Sequence, residues 1–297
     1  MTISLAGRFK KNFVPPVFFK RQRIENRLAD TFLKLFATEP LGALQYQLLQ
    51  REVTATPDIA RLFPEVLMKE HWGYARLENT AVSPNLYVHQ IRYYRMYQYF
   101  QTQFPDIFAE ETAVLNIGDT SGLLFQAMGK NGLSLNMRPE RVAYIKAKGI
   151  DAVVGNAEAL EFNDNAFDYI FCFQTLEHVR SPLQVLIEMG RVARKAVFVS
   201  IPHVEQTHIW ERERFIRDYR QADETEIEHI QDDECHVFEL CSEDVKKLLS
   251  YTDLVCTDNF TLDYFSAERQ QTLIERLVAR LTPSHFNFFV LEKKQSA

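Results

Sequence analysis

From residue 113 onward the chain changes texture in a way that leaves few folds open. Short apolar runs, too short for helices, alternate with stretches of helical period. AVLNI (113–117) reads as a buried strand, followed by a loop and a short helix ending near Gly129. LSLN (133–136) is a second strand, and the helix after it begins near Pro139, where proline suits a first turn. DAVV (151–154) and FDYIFCF (167–173) are strands three and four; a helix over 182–194 leads to strand five, KAVFVSI (195–201). Such alternation builds parallel strands with helices on both faces, because each crossover returns the chain to the same end of the sheet. Further on, SEDVKKLLS (242–250) is expected to be helical with Ser242 as its N-cap. Strands near 254–262 and 286–292 flank one more helix at 266–281 and are placed to pair antiparallel at the sheet's edge.

What precedes this region is different. Residues 1–27 are basic: Arg8, Lys10, Lys11, Lys20, Arg21, Arg23 and Arg27 face only Glu25, with phenylalanines interleaved. One reading is peripheral contact with an anionic membrane surface or an anionic substrate. The other is a solvated terminus, and Pro15 with Pro16 favours it by breaking any single amphipathic helix. Residues 28–84 read as a small helical unit, with Leu28, Phe32, Leu35 and Phe36 on one stripe and Leu41, Leu44 and Leu48 on another. Tyr93, Tyr97, Phe100 and Phe104 then mark an aromatic-faced helix, a pattern that serves a core more often than a cofactor. The organisation expected is a basic segment 1–27, a helical unit 28–84, and an α/β domain 85–297 carrying a charged insertion at 203–240.

With 34 lysines and arginines against 40 acidic residues, the chain lacks the excess basic charge of a dedicated nucleic-acid binder. Four cysteines without a CxxC pair point to reduced thiols and a cytoplasmic setting, with membrane association depending on residues 1–27. No apolar run approaches bilayer-spanning length, and no secretory signal pattern opens the chain.

The stretch Val114–Pro202 resembles the class I S-adenosylmethionine-dependent methyltransferases of the small-molecule type. The family's first motif, a strand ending in an acidic residue and then G-x-G-x-G, stands here as LNIGDTSG (115–122). The more specific signal is GNAEALEFNDNAFDYIFCFQTLEHV (155–179), which is similar to the family's G-D-A-E-x-L-P-F…F-D…L-E-H-V. Glu188, Arg191 and Val192 match its E-x-x-R-V helix, SIP (200–202) its strand-five ending, and HVFELCSEDVKKLL (236–249) the segment after its insertion. The resemblance implies a Rossmann-like seven-stranded sheet with an N-terminal helical extension. It also implies S-adenosylmethionine as cofactor, held by Asn116, Gly118, Thr120, Gly122, Asn136, Met137, Asn156, Ala157, Phe173 and Gln174. In this arrangement Gly118 allows a sharp turn, Gly122 opens a helix, and backbone N–H groups there meet the cofactor's carboxylate.

The chain departs from the family where aspartate is usual. Asn116, Asn136 and Asn156 stand at the tips of the first three strands, and Thr120 replaces the loop's middle glycine. An amide oxygen still accepts a hydrogen bond, so Asn156 suits an adenine amine, but Asn136 has one accepting oxygen where a carboxylate offers two. A neutral acceptor costs about 1 kcal/mol per bond relative to a charged one, so three changes weaken cofactor binding by roughly 100-fold if additive. Methyl transfer needs alignment and exclusion of water, and a hydroxyl acceptor also needs a base. His203, directly after strand five, and His236, where the insertion returns, are the candidate catalytic bases. His178 matches a family position beside the pocket; the other reading is that it packs the turn after strand four. No metal site is expected: the spacing of His229, Cys235, His236 and Cys241 fits no familiar zinc motif.

Two functions compete. One is methyl transfer, by O-methylation, to a small molecule, glycan or lipid-linked saccharide intermediate. The other is a catalytically degenerate scaffold or partner-binding module in which the asparagines record a lost cofactor. An NADP oxidoreductase, suggested by Arg138 and by Tyr144 with Lys148, is disfavoured because that Y-x-x-x-K falls too early in the chain.

Overall fold

The computed structural model describes residues 39–64, 68, 84–202, 238, 240–281 and 286–294. The basic segment 1–27, most of the 203–240 insertion, and with it His203 and His236, lie outside the described residues.

The described residues build one seven-stranded sheet in the order β3-β2-β1-β4-β5-β7-β6. The strands are β1 (Val114–Ile117), β2 (Leu133–Asn136), β3 (Asp151–Val154), β4 (Phe167–Phe173), β5 (Ala193–Pro202), β6 (Leu254–Thr261) and β7 (Phe286–Lys293). The first five pair parallel. β7 enters antiparallel between β5 and β6, with Ser200 opposite Phe288 and Phe260 opposite Phe288. The helices are α1 (Glu39–Ala55), α2 (Pro57–Leu62), α3 (Pro84–Gln103), α4 (Leu123–Met128), α5 (Pro139–Ala147), α6 (Pro182–Val192), α7 (Ser242–Leu249) and α8 (Leu273–Leu281).

Strand side chains alternate faces with period two, and the two faces differ in chemistry. Ile170, Cys172, Val197, Val199, Phe289 and Leu291 turn to a largely aliphatic core shared with α6 and α7. Tyr169, Phe171, Phe198 and Phe288 turn the other way, into an aromatic core shared with α1, α2 and α3. The N-terminal helices therefore share a core with the sheet. From α3, Phe100 stacks on Phe171 at 5.1 Å and meets Phe198 edge-on at 4.8 Å.

Several boundaries differ from the sequence reading. α6 ends at Val192, and β5 starts at Ala193, two residues before the expected 195. Ser242 is the first helical residue of α7, not its cap; Cys241 is the N-cap, and its N–H donates to Asp244 at 3.0 Å. The expected helix at 266–281 is a 3₁₀ turn, Ala267–Arg269, followed by α8. The break lies at a capping box, where the Glu275 N–H donates to the Thr272 hydroxyl and the Glu275 carboxylate accepts from the Gln271 and Thr272 N–H groups.

Candidate functional site

In an open parallel sheet, ligands bind beyond the carboxyl ends of the strands, at the point where strand order reverses. Here that point lies between β1 and β4. β1 runs one residue beyond Asn116 to Ile117, and the chain then turns at Gly118 with φ +76°. A Cβ on Gly118 would lie 2.2 Å from the Thr175 hydroxyl, so glycine is required both by backbone sign and by the approach of the turn after β4. Gly122, φ +71°, is the N-cap of α4, and a Cβ there would meet Ile150 at 2.4 Å. Both glycines thus stand where their spacing places them.

The loop between them is organised by a residue the sequence reading passed over. Asp119 is buried, and its Oδ1 accepts from the Ser121 and Gly122 N–H groups at 3.0 and 2.8 Å. Its Oδ2 accepts from the Ser134 hydroxyl at 2.6 Å. The amides expected to meet a cofactor carboxylate therefore already serve an internal one. An Asx turn into a helix start is the local signal for this; the tie to Ser134 depends on strand register and has no local signal. Lys148, from the end of α5, donates to the Ser121 carbonyl at 3.2 Å and sits 4.2 Å over the Tyr144 ring, so the Y-x-x-x-K pair braces this loop.

Asn136 ends β2 as expected, with Nδ2 donating to the Asp119 carbonyl at 2.8 Å and Oδ1 accepting from the Arg138 N–H at 2.9 Å. Both ends of the amide are used, which explains why an amide suits this position: a carboxylate would set oxygen against oxygen. Asn136→Asp is accordingly expected to cost about 1–3 kcal/mol at neutral pH, as a buried carbonyl loses its donor. The deficit should shrink as pH falls toward about 4, because the opposing oxygen raises the new carboxyl's folded pKa above its ordinary value and the protonated acid can donate. Denaturant melts of variant and wild type at both pH values check this, and equal stability at neutral pH would count against it.

The other predicted residues spread along the same edge. Asn116 is buried within β1, in register with Ser134 on β2. Thr120 lies in the loop, half-buried. Met137 is 71% exposed and Val154, paired with Asn136 across the β2–β3 ladder, is 55% exposed. They leave an apolar ledge at the strand ends. Asn156 is exposed, with Oδ1 accepting from the Glu158 N–H at 2.9 Å, while Ala157 is buried beneath it. Phe173 is half-buried, its ring 5.5 Å from that of Phe171. Gln174 holds φ +52°, uncommon for a side-chain-bearing residue, and is pinned by its N–H to the Ser200 carbonyl and its Nε2 to the Ser200 hydroxyl. His178 is exposed, and its N–H closes the turn onto the Thr175 carbonyl.

Glu188 and Arg191 form a structural clamp. Arg191 grips Glu188 through two nitrogens and also donates to Asp164 and to the Phe162 and Leu160 carbonyls. That clamp fastens the 160–164 loop over α6. The Arg191 hydrogen bonds hold the Glu188 carboxyl below its ordinary range, so its contribution is complete at neutral pH and is lost only as pH falls through that lowered value. On the α3 side, Arg92 is buried, 3.7 Å above the Phe286 ring, with Tyr93 and Glu177 close enough to influence its charge. Burial pulls its pKa down most strongly, and those neighbours oppose the shift.

Residues 115–201 match the family model described as a methyltransferase domain. Together with the strand order and the antiparallel β7, this decides the architecture. The described residues have the Rossmann-like class I methyltransferase fold. A demethylmenaquinone methyltransferase from Shouchella clausii is 41% identical over an 86-residue alignment that covers 26% of this chain. The match spans just over a third, 37%, of that relative's length. Among solved structures, a SAM-dependent methyltransferase from Thermotoga maritima aligns at 16% identity over 76% of this chain and 99% of its own, with TM-score 0.48. The YcgJ protein of Bacillus subtilis aligns at 16% identity over 68% of this chain and 99% of its own, with TM-score 0.47. Among the described residues of this methyltransferase-fold chain, no helix is long and apolar enough to cross a membrane.

Proposed function

We propose that the chain is an S-adenosylmethionine-dependent methyltransferase that methylates an oxygen of a small molecule, glycan or lipid-linked saccharide. The observation that carries this reading is the ledge at the carboxyl edge. Exposed Met137 and Val154 form an apolar seat for a nucleobase, bounded by the amides of Asn136 and Asn156. Each amide oxygen accepts one backbone N–H and keeps a second lone pair for a ligand donor. The bound cofactor supplies an electrophilic methyl group. The protein's part is to fix the acceptor in line, keep water out, and take a proton from the acceptor hydroxyl, for which His203 and His236 are the candidates. A methyltransferase relative that by name acts on a small molecule supports the acceptor class.

One observation favours the second reading, a fold that no longer binds the cofactor: Asp119 fills the two loop amides with its own carboxylate. On the active reading, the cofactor's carboxylate is met elsewhere, and Lys148 is the cation that braces this loop. Titrating the full-length chain with S-adenosylhomocysteine by calorimetry separates the two. Binding is expected, weakened roughly 100-fold relative to a site with three carboxylates. No heat even at millimolar ligand, with no rise in the melting temperature, would leave only the scaffold reading.

A further inference from the structure

α8 is built the wrong way round for a helix that only packs against its own protein. At about 100° per residue, Glu275, Val278 and Ala279 share one side, and Leu273 and Leu277 lie opposite. The helix packs on α1, with Val278 buried and the Glu275 carboxylate 2.9 Å from Arg51. Its apolar stripe points away from that contact: Leu273 is 82% exposed, Ile274 60% and Leu277 53%. A stripe of this kind normally faces a core, so something else is needed to cover it.

Charge and area select the occupant. The helix's one acid is turned inward and neutralised by Arg51, while Arg276 stands exposed beside the stripe. The outward face is therefore apolar with a cationic flank. Three side chains of a nine-residue helix fall well short of the roughly 800 Å² per partner that a stable protein interface buries. They suit an interfacial helix lying on anionic lipid, which needs only shallow apolar burial plus basic residues at the headgroups. Position adds a functional consequence. α8 connects the end of β6 to the start of β7, and Phe286 at that start pairs with Pro202 at the end of β5. The helix thus stands at the carboxyl edge of the sheet, the edge that carries the glycine loop and the Met137 ledge.

We infer that the exposed Leu273–Ile274–Leu277 face of α8 seats the protein on an anionic bilayer surface, presenting the carboxyl edge of the sheet to acceptors held in that membrane. The lipid contact stands on α8 alone; only the claim about acceptors rests on the methyl-transfer reading. The test is co-sedimentation of the full-length chain with equimolar phosphatidylcholine–phosphatidylglycerol vesicles, against pure phosphatidylcholine, for wild type and the Leu273→Ser/Leu277→Ser variant. Wild type is expected to partition to the anionic vesicles, and the variant to lose at least about tenfold in partitioning, since each leucine removed forfeits several buried methyl and methylene groups. Because both positions are exposed, the variant should keep its melting temperature and its affinity for S-adenosylhomocysteine. Undiminished partitioning of the variant would assign binding to residues 1–27 and overturn the inference. So would absence of binding by wild type, or a concentration-dependent dimer in light scattering that the variant abolishes. Loss of S-adenosylhomocysteine binding in wild type with vesicle binding intact would remove the methyl-transfer reading and leave the surface standing.

Discussion

Phe100→Ala is expected to lower the free energy of unfolding by about 3–5 kcal/mol, enough to unfold a substantial fraction of a marginally stable chain. The ring is 1% exposed and is the central contact between α3 and the sheet. It stacks on Phe171 at 5.1 Å, faces Phe173 at 6.5 Å and meets Phe198 edge-on at 4.8 Å. Those partners come from two different strands, so their spacing is fixed by backbone hydrogen bonds and they cannot close in on the void. Removing the ring loses its transfer energy and leaves an aromatic-sized cavity as well. Phe100→Leu keeps most of the volume and should cost less than half as much. Denaturant midpoints give both values, and a cost under about 1 kcal/mol for the alanine variant would mean that α3 is not docked as described. The same variant should also weaken S-adenosylhomocysteine binding, because α3 carries Tyr93, whose hydroxyl feels the charge of Asp119, the residue that organises the glycine loop.

Much of the fold was legible because its signals are local. Runs such as FDYIFCF announce a strand buried on both faces, and helix starts at Pro139 and Pro182 follow from proline's fixed φ. The glycines were legible for the same reason, since a turn that needs positive φ shows itself as Gly118 and Gly122. Cap assignments were less secure. Ser242 looks like a cap by type, but Asp244 three residues on from Cys241 fixes the start one position earlier. The Thr272–Glu275 capping box was present in the sequence, yet the apolar run around it suggested one longer helix. What the sequence concealed were contacts made by register. Asp119 meets Ser134 only because β2 lies beside β1, and Asn136 meets the Asp119 carbonyl for the same reason. Three asparagines read singly suggest decay of a cofactor site. Placed in the fold, Asn136 is matched to its neighbours through both ends of its amide.

Gly118→Ala is expected to be the most damaging single-atom change at the candidate site. Two effects combine. The φ of +76° is costly for any L-residue, by about 1–2 kcal/mol. The new Cβ would also lie 2.2 Å from Thr175 Oγ1 and 2.8 Å from its Cγ2. Thr175 cannot simply swing aside. It is β-branched, and its hydroxyl donates to the Phe173 carbonyl at 3.1 Å, so a new rotamer breaks a bond and must clear the β1–β4 seam. Displacing it should bring the total to roughly 3 kcal/mol or more, within the range of overpacking plus strain. S-adenosylhomocysteine binding should fall more than tenfold, because the loop from Gly118 to Gly122 moves as a unit through Asp119. Gly149→Ala supplies the control: its φ is +79°, and a Cβ there meets nothing within 4 Å, so it carries the backbone penalty without the clash. Thr175→Ala in the Gly118→Ala background removes both offending atoms and should recover part of the loss, a coupling that a double-mutant cycle reads directly. If Gly118→Ala proves no worse than Gly149→Ala, the turn after β4 is free to retreat, and the close seam at the switch point does not hold the loop in place.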